Sequence, residues 1–100
     1  RSGDAVHIAL ISAASAGAKP LPRRSLSCCM ENLQSVIVHS LRKGDVVAQC
    51  SVSQYVLLLP QANYENSRMV CDRIVRAFAR QYPHSPAALS FTVQPLIPNP

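Results

Sequence analysis

The order of apolar and polar positions predicts a strand and then a helix in the first half of the chain. Residues Ala5 to Ala13, AVHIALISA, form a short apolar run that is typical of a buried strand. The Ala- and Pro-rich stretch that follows predicts a loop, and Ser25 is placed to cap the next helix with its hydroxyl. An apolar residue then recurs every three or four positions up to Leu41, and Lys43-Gly44 is expected to end the helix. This stripe consists of Leu26, Met30, Leu33, Ile37 and Leu41.

The second half of the chain predicts a hairpin, a second helix and a last strand. Asp45 to Cys50 and Tyr55 to Leu59 are two strands separated by four residues, which is a common loop length in hairpins. Asn63 is expected to cap a helix that runs to about Tyr82, and Leu89 to Leu96 is expected to form the last strand. The apolar side of this second helix carries Val70, Cys71, Ile74, Ala77 and Phe78.

The predicted order of elements is β-α-β-β-α-β. Its simplest packing is an α+β, ferredoxin-like domain, in which a four-stranded antiparallel sheet carries both helices on one face. The first and third strands are then central. We expect residues 1–100 to form a single domain cut from a longer protein, with residues 1–4 and 97–100 as tails.

The charge of the chain permits an acidic partner but does not require one. The sequence has a net charge of +5, but only 15% of its residues are charged, which is low for a dedicated nucleic-acid binder. The cations of the second helix form a basic face, which is either simply solvated or docks on an acidic partner or, as a weaker alternative, on DNA. This possible docking face consists of Arg68, Arg73, Arg76 and Arg80.

The thiols and imidazoles do not form a recognisable metal site or catalytic set. All four cysteines lie inside apolar runs, so we expect reduced thiols packed in the core, although Cys28 near a helix start is an alternative candidate for a reactive thiol. His7, His39 and His84 are scattered over different elements. No apolar stretch approaches the ~20 residues of a membrane span, and a cytoplasmic protein is expected.

The segment LRKGDVVAQCSVSQYVLLLP, Leu41 to Pro60, resembles the centre of the GGDEF (diguanylate cyclase) family, whose pattern reads roughly LRxxDxVARYGGDEFxxLLP. The two align without a gap, and the following helix and strand match in order and length. The family core is also a βαββαβ sheet, so the resemblance implies the fold derived above. The Gly-Gly-Asp-Glu-Phe signature falls on Ser51, Val52, Ser53, Gln54 and Tyr55. The agreeing positions are Leu41, Arg42, Asp45, Val47, Ala48, Leu58, Leu59 and Pro60.

The resemblance does not extend to the residues that carry the chemistry of the family. It implies carboxylates at the end of the first strand and in the hairpin, which would hold Mg²⁺ on GTP, since Mg²⁺ prefers hard and charged oxygen ligands. Here Ser12 and Ala14 stand at the strand end, and Ser53 and Gln54 stand in the hairpin. The signature glycines are lost, and the guanine-reading segment is replaced by AASAGAKPLPRR. We therefore expect no enzymatic activity, no cofactor and no metal.

One ligand site of the family has matching residues. Many cyclases carry an inhibitory RxxD motif five residues ahead of the signature, and Arg42 and Asp45 have this spacing. The resemblance implies that they would bind cyclic di-guanylate, because Arg offers a fork of donors and Asp accepts from the guanine edge. The alternative is structural: a cation at a helix C-terminus and a turn residue that opens a strand.

A narrower resemblance favours a regulatory function. The run from Ser40 to Asn66, with SVSQY, LLLP and YEN, and its continuation RI…F…LSFTVQPL are similar to the trailing GGDEF-like domain of bacterial regulators that carry a winged helix and a bacterial transcriptional activator domain. It implies a non-catalytic module that contacts other domains of its parent or forms a homodimer, with DNA bound elsewhere in the parent. The alternatives are a cyclic dinucleotide receptor and, less favoured, a direct DNA-contacting module.

Overall fold

The computed structural model describes residues 6–96, and it contains four strands and two helices in the predicted order. The predicted tails, 1–4 and 97–100, and Ala5 at the start of the first predicted strand lie outside this range. The elements are β1 (Val6–Ser15), α1 (Arg23–Ser40), β2 (Val46–Ser51), β3 (Gln54–Leu59), α2 (Tyr64–Gln81) and β4 (Ala87–Leu96).

The strands form one antiparallel sheet in the order β2-β3-β1-β4. The first and third strands are therefore central, as predicted, and the ferredoxin-like βαββαβ fold is confirmed. In the pairing of β1 with β3, Ala9 lies opposite Leu57 and Ser12 lies opposite Gln54. This register places the end of β1 beside the β2–β3 hairpin.

The core lies between the helices and one face of the sheet. Alternate residues of β1 and β3 point into it, as expected for strands with a period of two, and both helices contribute their apolar sides. The predicted stripes are largely confirmed, although Leu26, Leu41 and Val70 are only partly buried. The buried apolar residues are Ala9, Ile11, Ala13, Cys29, Met30, Leu33, Val36, Ile37, Tyr55, Leu57, Leu59, Cys71, Ile74, Ala77 and Phe78.

Charge is confined to the helices and loops of the described chain. None of the four strands contains Asp, Glu, Lys or Arg, and the one imidazole among them, His7, is buried and bonds through Nδ1 to the Ala62 carbonyl at 2.8 Å.

Within residues 6–96, neither helix is long and apolar enough to cross a membrane.

The prediction for the start of α1 is wrong, whereas that for α2 is confirmed. Helix α1 begins at Arg23, with Pro22 as its N-cap and no side-chain capping bond, so Ser25 lies inside the first turn. The φ of Pro22, −59°, is in the range that the proline ring fixes, so proline is compatible with this position. In α2, the Asn63 side chain accepts a hydrogen bond from the Asn66 amide at 2.7 Å, which is the expected cap.

Two turns also differ from the predictions. Helix α1 ends at Ser40, before Lys43-Gly44, and Gly44 instead adopts a φ of 97° in the turn that leads into β2. The hairpin loop contains two residues rather than four, because Ser51 pairs with Gln54 across the turn. A register shift between Gln49 and Ser51 accommodates the additional residue of β2.

The two helix starts generate a prediction for stability. Asn63→Ala should lower the free energy of unfolding by about 1 kcal/mol, because it leaves a first-turn amide of α2 without its acceptor. Ser25→Ala is the matched control and should change it by less than about 0.5 kcal/mol, since Ser25 is not a cap. Urea unfolding monitored by circular dichroism measures both, and an equal loss from the two variants would contradict the assignment of the caps.

Candidate functional site

The tip of the β2–β3 hairpin is the position that the sequence singles out, and it is bonded directly to the end of β1. The Ala13 amide donates to the Ser53 carbonyl at 2.8 Å, and the Gln54 side-chain amide donates from Nε2 to Ser12 Oγ at 3.0 Å. Ser12 and Gln54 are also register partners in the sheet. Two of the positions where the family resemblance implies carboxylates are therefore occupied by a neutral hydrogen-bonded pair.

The remaining polar groups of the tip bond to one another. Ser51 Oγ lies 3.2 Å from Gln54 Oε1, to which it donates, and it accepts from the Ser53 amide at 3.2 Å. The Gln49 side chain donates to the Ser51 carbonyl at 2.9 Å. Val52 at the turn is 76% exposed and supplies no polar group. These polar groups therefore form hydrogen bonds within the hairpin, and the exposed side chain at the turn is apolar.

Tyr55, the last residue of the signature position, is part of the core. Its ring is buried, and its hydroxyl donates to the Met30 carbonyl of α1 at 2.9 Å. Burial raises the pKa of Tyr55 above its ordinary value, with smaller contributions from Glu31 and Cys29. Tyr55 therefore connects the hairpin to α1, and its role is structural.

The donor set at the tip does not fit Mg²⁺ bound to a nucleotide triphosphate. It offers hydroxyls and amides, without the carboxylate charge that holds a hard divalent cation against water. Across residues 6–96 there is no group of three or more His, Cys, Asp or Glu side chains that could hold a metal ion. No step of chemistry through a metal follows from this site.

An open cleft of about 680 Å³ lies between the hairpin and the start of α1. Its lining includes Val52 and Gln49 from the hairpin, and its charged residues are Arg23 and Glu31 from α1. Arg23 and Gln49 have no signature in the sequence that marks them, because they share a site only once α1 packs across the hairpin. Opposite charges on the same helix leave the cleft without a strong preference for anions.

Arg42 and Asp45 lie together in the turn between α1 and β2. Asp45 Oδ2 accepts from the Arg42 amide at 2.9 Å, and the Asp45 amide donates back to the Arg42 carbonyl at 3.0 Å. Both residues line a cavity of about 140 Å³, together with Lys43 and with Arg73 of α2. The structure therefore brings a third cation, Arg73, which the helical periodicity predicts on a different surface, to the RxxD-like pair.

The predicted docking face of α2 is not one continuous surface. The Arg68 guanidinium lies over the Phe91 ring of β4, 5.2 Å from its centroid, whereas Arg73 turns to the cavity beside Arg42. Arg76 Nε forms an ion pair with Asp72 Oδ2 at 2.8 Å. Of these engagements only the ion pair with Asp72 offsets a positive charge, while Arg68 and Arg73 face different neighbours.

The expectation that all four cysteines pack in the core is wrong for two of them. All are free thiols, but Cys28 and Cys50 are exposed, because Cys28 lies on the outer side of α1 and Cys50 lies at the irregular end of β2. Cys29 and Cys71 are buried, and burial raises the pKa of Cys71 to about 11. For Cys28, Asn32 Nδ2 lies 3.9 Å from Sγ, and this weak contact does not make a reactive thiol site.

Comparisons with known proteins support the fold assignment. No protein-family model and no curated protein sequence matches the chain. Similar solved structures include an EAL/GGDEF domain protein from M. capsulatus (TM-score 0.68, 16% identity, 95% of this chain covered). They also include diguanylate cyclase SiaD of Pseudomonas aeruginosa in complex with its activator SiaC (0.70, 15%, 97%) and a DGC protein from Thermotoga maritima (0.66, 11%, 91%).

These structures show that the chain has a GGDEF-like, diguanylate cyclase-like fold. The chain spans 66%, 40% and 64% of the three solved chains, respectively. At identities of 11 to 16%, the likeness concerns the path of the backbone and not the chemistry of the site.

Proposed function

We propose that this domain is a non-catalytic regulatory and assembly module of a bacterial transcriptional regulator. The observation that carries the proposal is the hydrogen bond between Gln54 and Ser12, 3.0 Å long, at the place where a cyclase would need carboxylates. A neutral amide–hydroxyl pair neither binds Mg²⁺ strongly nor stabilises the charge that develops in phosphoryl transfer. The cyclase-like scaffold is kept and used for protein contacts.

We propose a particular class of parent protein for this domain. The phrase SVSQY with LLLP and YEN resembles the trailing domain of regulators with a transcriptional activator domain, so we place this chain in a cytoplasmic protein that contacts DNA through another domain. The domain then contacts other domains of the parent or a second copy of itself. SiaD, a diguanylate cyclase of which this chain resembles 40%, was solved in complex with its activator SiaC and is a precedent for a protein with this fold that has a protein partner.

A second candidate function is a receptor for a cyclic dinucleotide. The observation that favours it is the convergence of Arg42, Lys43 and Arg73 on one cavity beside Asp45. Cations in this arrangement suit phosphate, and Asp45 is an acceptor for a guanine edge. One observation argues against a receptor: Asp45 already accepts a hydrogen bond from the Arg42 amide, so a structural role alone explains why the two residues lie together.

Direct DNA contact by this domain is the weakest of the three candidates. A DNA-binding surface requires several cations free to approach phosphates. Arg76 is paired with Asp72, and Arg68 stacks over Phe91. Within the described residues, α2 therefore does not present a continuous surface of unpaired cations.

The absence of cyclase chemistry is testable with purified protein. Incubated with GTP and Mg²⁺, the chain should release no pyrophosphate above the rate of a protein-free control, because its tip lacks the ligands for the metal. An active diguanylate cyclase assayed in parallel verifies the conditions. GTP turnover that disappears in the Ser53→Ala, Gln54→Ala double variant would sink the non-catalytic assignment.

Calorimetry separates the receptor from the assembly module. If the cavity binds cyclic di-guanylate, Arg73→Ala should weaken binding at least about tenfold, since a charge-assisted hydrogen bond contributes about 1.5–3 kcal/mol. Arg76→Ala is the matched control on the same helix and should have no effect. If the domain is an assembly module, the unmodified chain should give no heat at high micromolar ligand. Saturable binding that is lost when either Arg42 or Arg73 is substituted would instead show that the domain is a receptor.

A further inference from the structure

The face of the sheet that points away from both helices is an apolar surface that no helix of the described chain covers. Buried positions alternate with exposed ones along β1 and β3, so the residues between the core positions share the opposite face. Register extends this face across all four strands. It consists of Val6, Ile8, Leu10, Ser12, Ala14, Val46, Ala48, Gln54, Val56, Leu58, Ala88, Ser90, Thr92, Gln94 and Leu96, hereafter the open face.

The open face has an apolar centre and a polar margin. Ile8 of β1 lies opposite Leu58 of β3, and Val46 of β2 continues this row, while Leu10 lies opposite Val56 in the next row. Val46 is 50% exposed and Leu58 is 36% exposed. Along β4, Ser90, Thr92 and Gln94 provide hydroxyl and amide groups on the other side. An exposed apolar patch of several aliphatic side chains with a polar rim is typical of an interaction surface.

The open face carries no formal charge, although the whole chain has a net charge of +5. In a two-fold symmetric contact each residue meets the same surface of the partner, so a charge on such a face would be repelled by its own copy. A face free of charge on a basic protein avoids this cost. It also gives an acidic partner nothing to pair with, because the cations lie on the helices and loops.

We propose that the open face is a self-association surface on which a second copy of this chain packs sheet to sheet. The proposal deepens the proposed assembly function by naming its surface and its partner, and it rests on that function. It differs from the expectation that the arginine face of α2 is the docking surface.

The dimensions of the open face suit a weak dimer. Strands of ten and six residues, at about 3.4 Å per residue and about 4.8 Å between strands, cover roughly 500 Å² of flat area. The accessible area of the corrugated side-chain surface is larger, which brings it near the ~800 Å² per partner of a standard interface. Two such faces would stack about 10 Å apart, with strand directions about 30° apart.

Symmetry determines how the two copies align. A two-fold axis that runs between the sheets, perpendicular to the strands, places each strand over its own copy in the partner. With the axis between the row of Leu58 and the row of Val56, Leu58 would meet Val56 of the second copy, and Thr92 would meet the polar margin of that copy. This arrangement buries aliphatic groups against aliphatic groups and leaves no charge desolvated.

The test is sedimentation equilibrium of the full 100-residue chain over micromolar to millimolar concentration. Val46→Lys and Thr92→Lys each place a charge on the open face, and each appears twice in a symmetric dimer. Val38→Lys is the matched control, because Val38 is 53% exposed on α1, far from the open face. Circular dichroism of all variants verifies that they remain folded, and two separate variants on the open face guard against the loss of one by misfolding.

The expected result is a concentration-dependent dimer whose association weakens at least about tenfold in Val46→Lys and in Thr92→Lys and is unchanged in Val38→Lys. A monomer at every concentration would overturn the proposal. So would a dimer that tolerates both lysines, which would indicate pairing through a strand edge or a helix. Neither outcome touches the non-catalytic assignment, which depends on the GTP assay instead.

Discussion

The antiparallel pairing of β1 with β3 is the constraint on which the rest of the structure depends. One register places Ala9 opposite Leu57 in the interior and Ser12 opposite Gln54 at the hairpin. A shift by one residue would turn the buried side chains of a strand to the open face, so the apolar core fixes the register strongly. The chemistry at the tip is therefore decided by residue identity alone, since the backbone that would present it is held in place by packing.

This separation of scaffold from chemistry allows a cyclase-like fold to persist when the residues of the signature change. The core needs aliphatic residues at alternating positions, and Tyr55 still connects the hairpin to α1 through its bond to the Met30 carbonyl. None of these contacts uses a carboxylate or a glycine of the signature. Neutral Ser12 and Gln54 satisfy each other instead, and the absence of charge extends along all four strands.

The sequence predicted the fold well, because periodicity reports burial directly. The order of elements, the central strands and the Asn63 cap all follow from local patterns. The start of α1 did not, since Ser25 and Pro22 are both acceptable near a helix start and only packing decides between them. Cys50 was misplaced because it lies on the edge strand β2, in which only Val47 is partly buried, and Arg73 joined Arg42 only because α2 lies beside the turn between α1 and β2. Such long-range proximity has no signature in a single sequence.

The measurement that tests the central claim most directly is a two-dimensional ¹H–¹⁵N spectrum of the chain, titrated with GTP and Mg²⁺. The account predicts that the amide signals of Ser12, Ser53 and Gln54 stay in place up to millimolar nucleotide, because neutral and mutually bonded side chains offer no ligand set for the metal. A saturable shift of these three signals that requires Mg²⁺ would contradict it, since it would show that the hairpin still holds a metal-bound nucleotide.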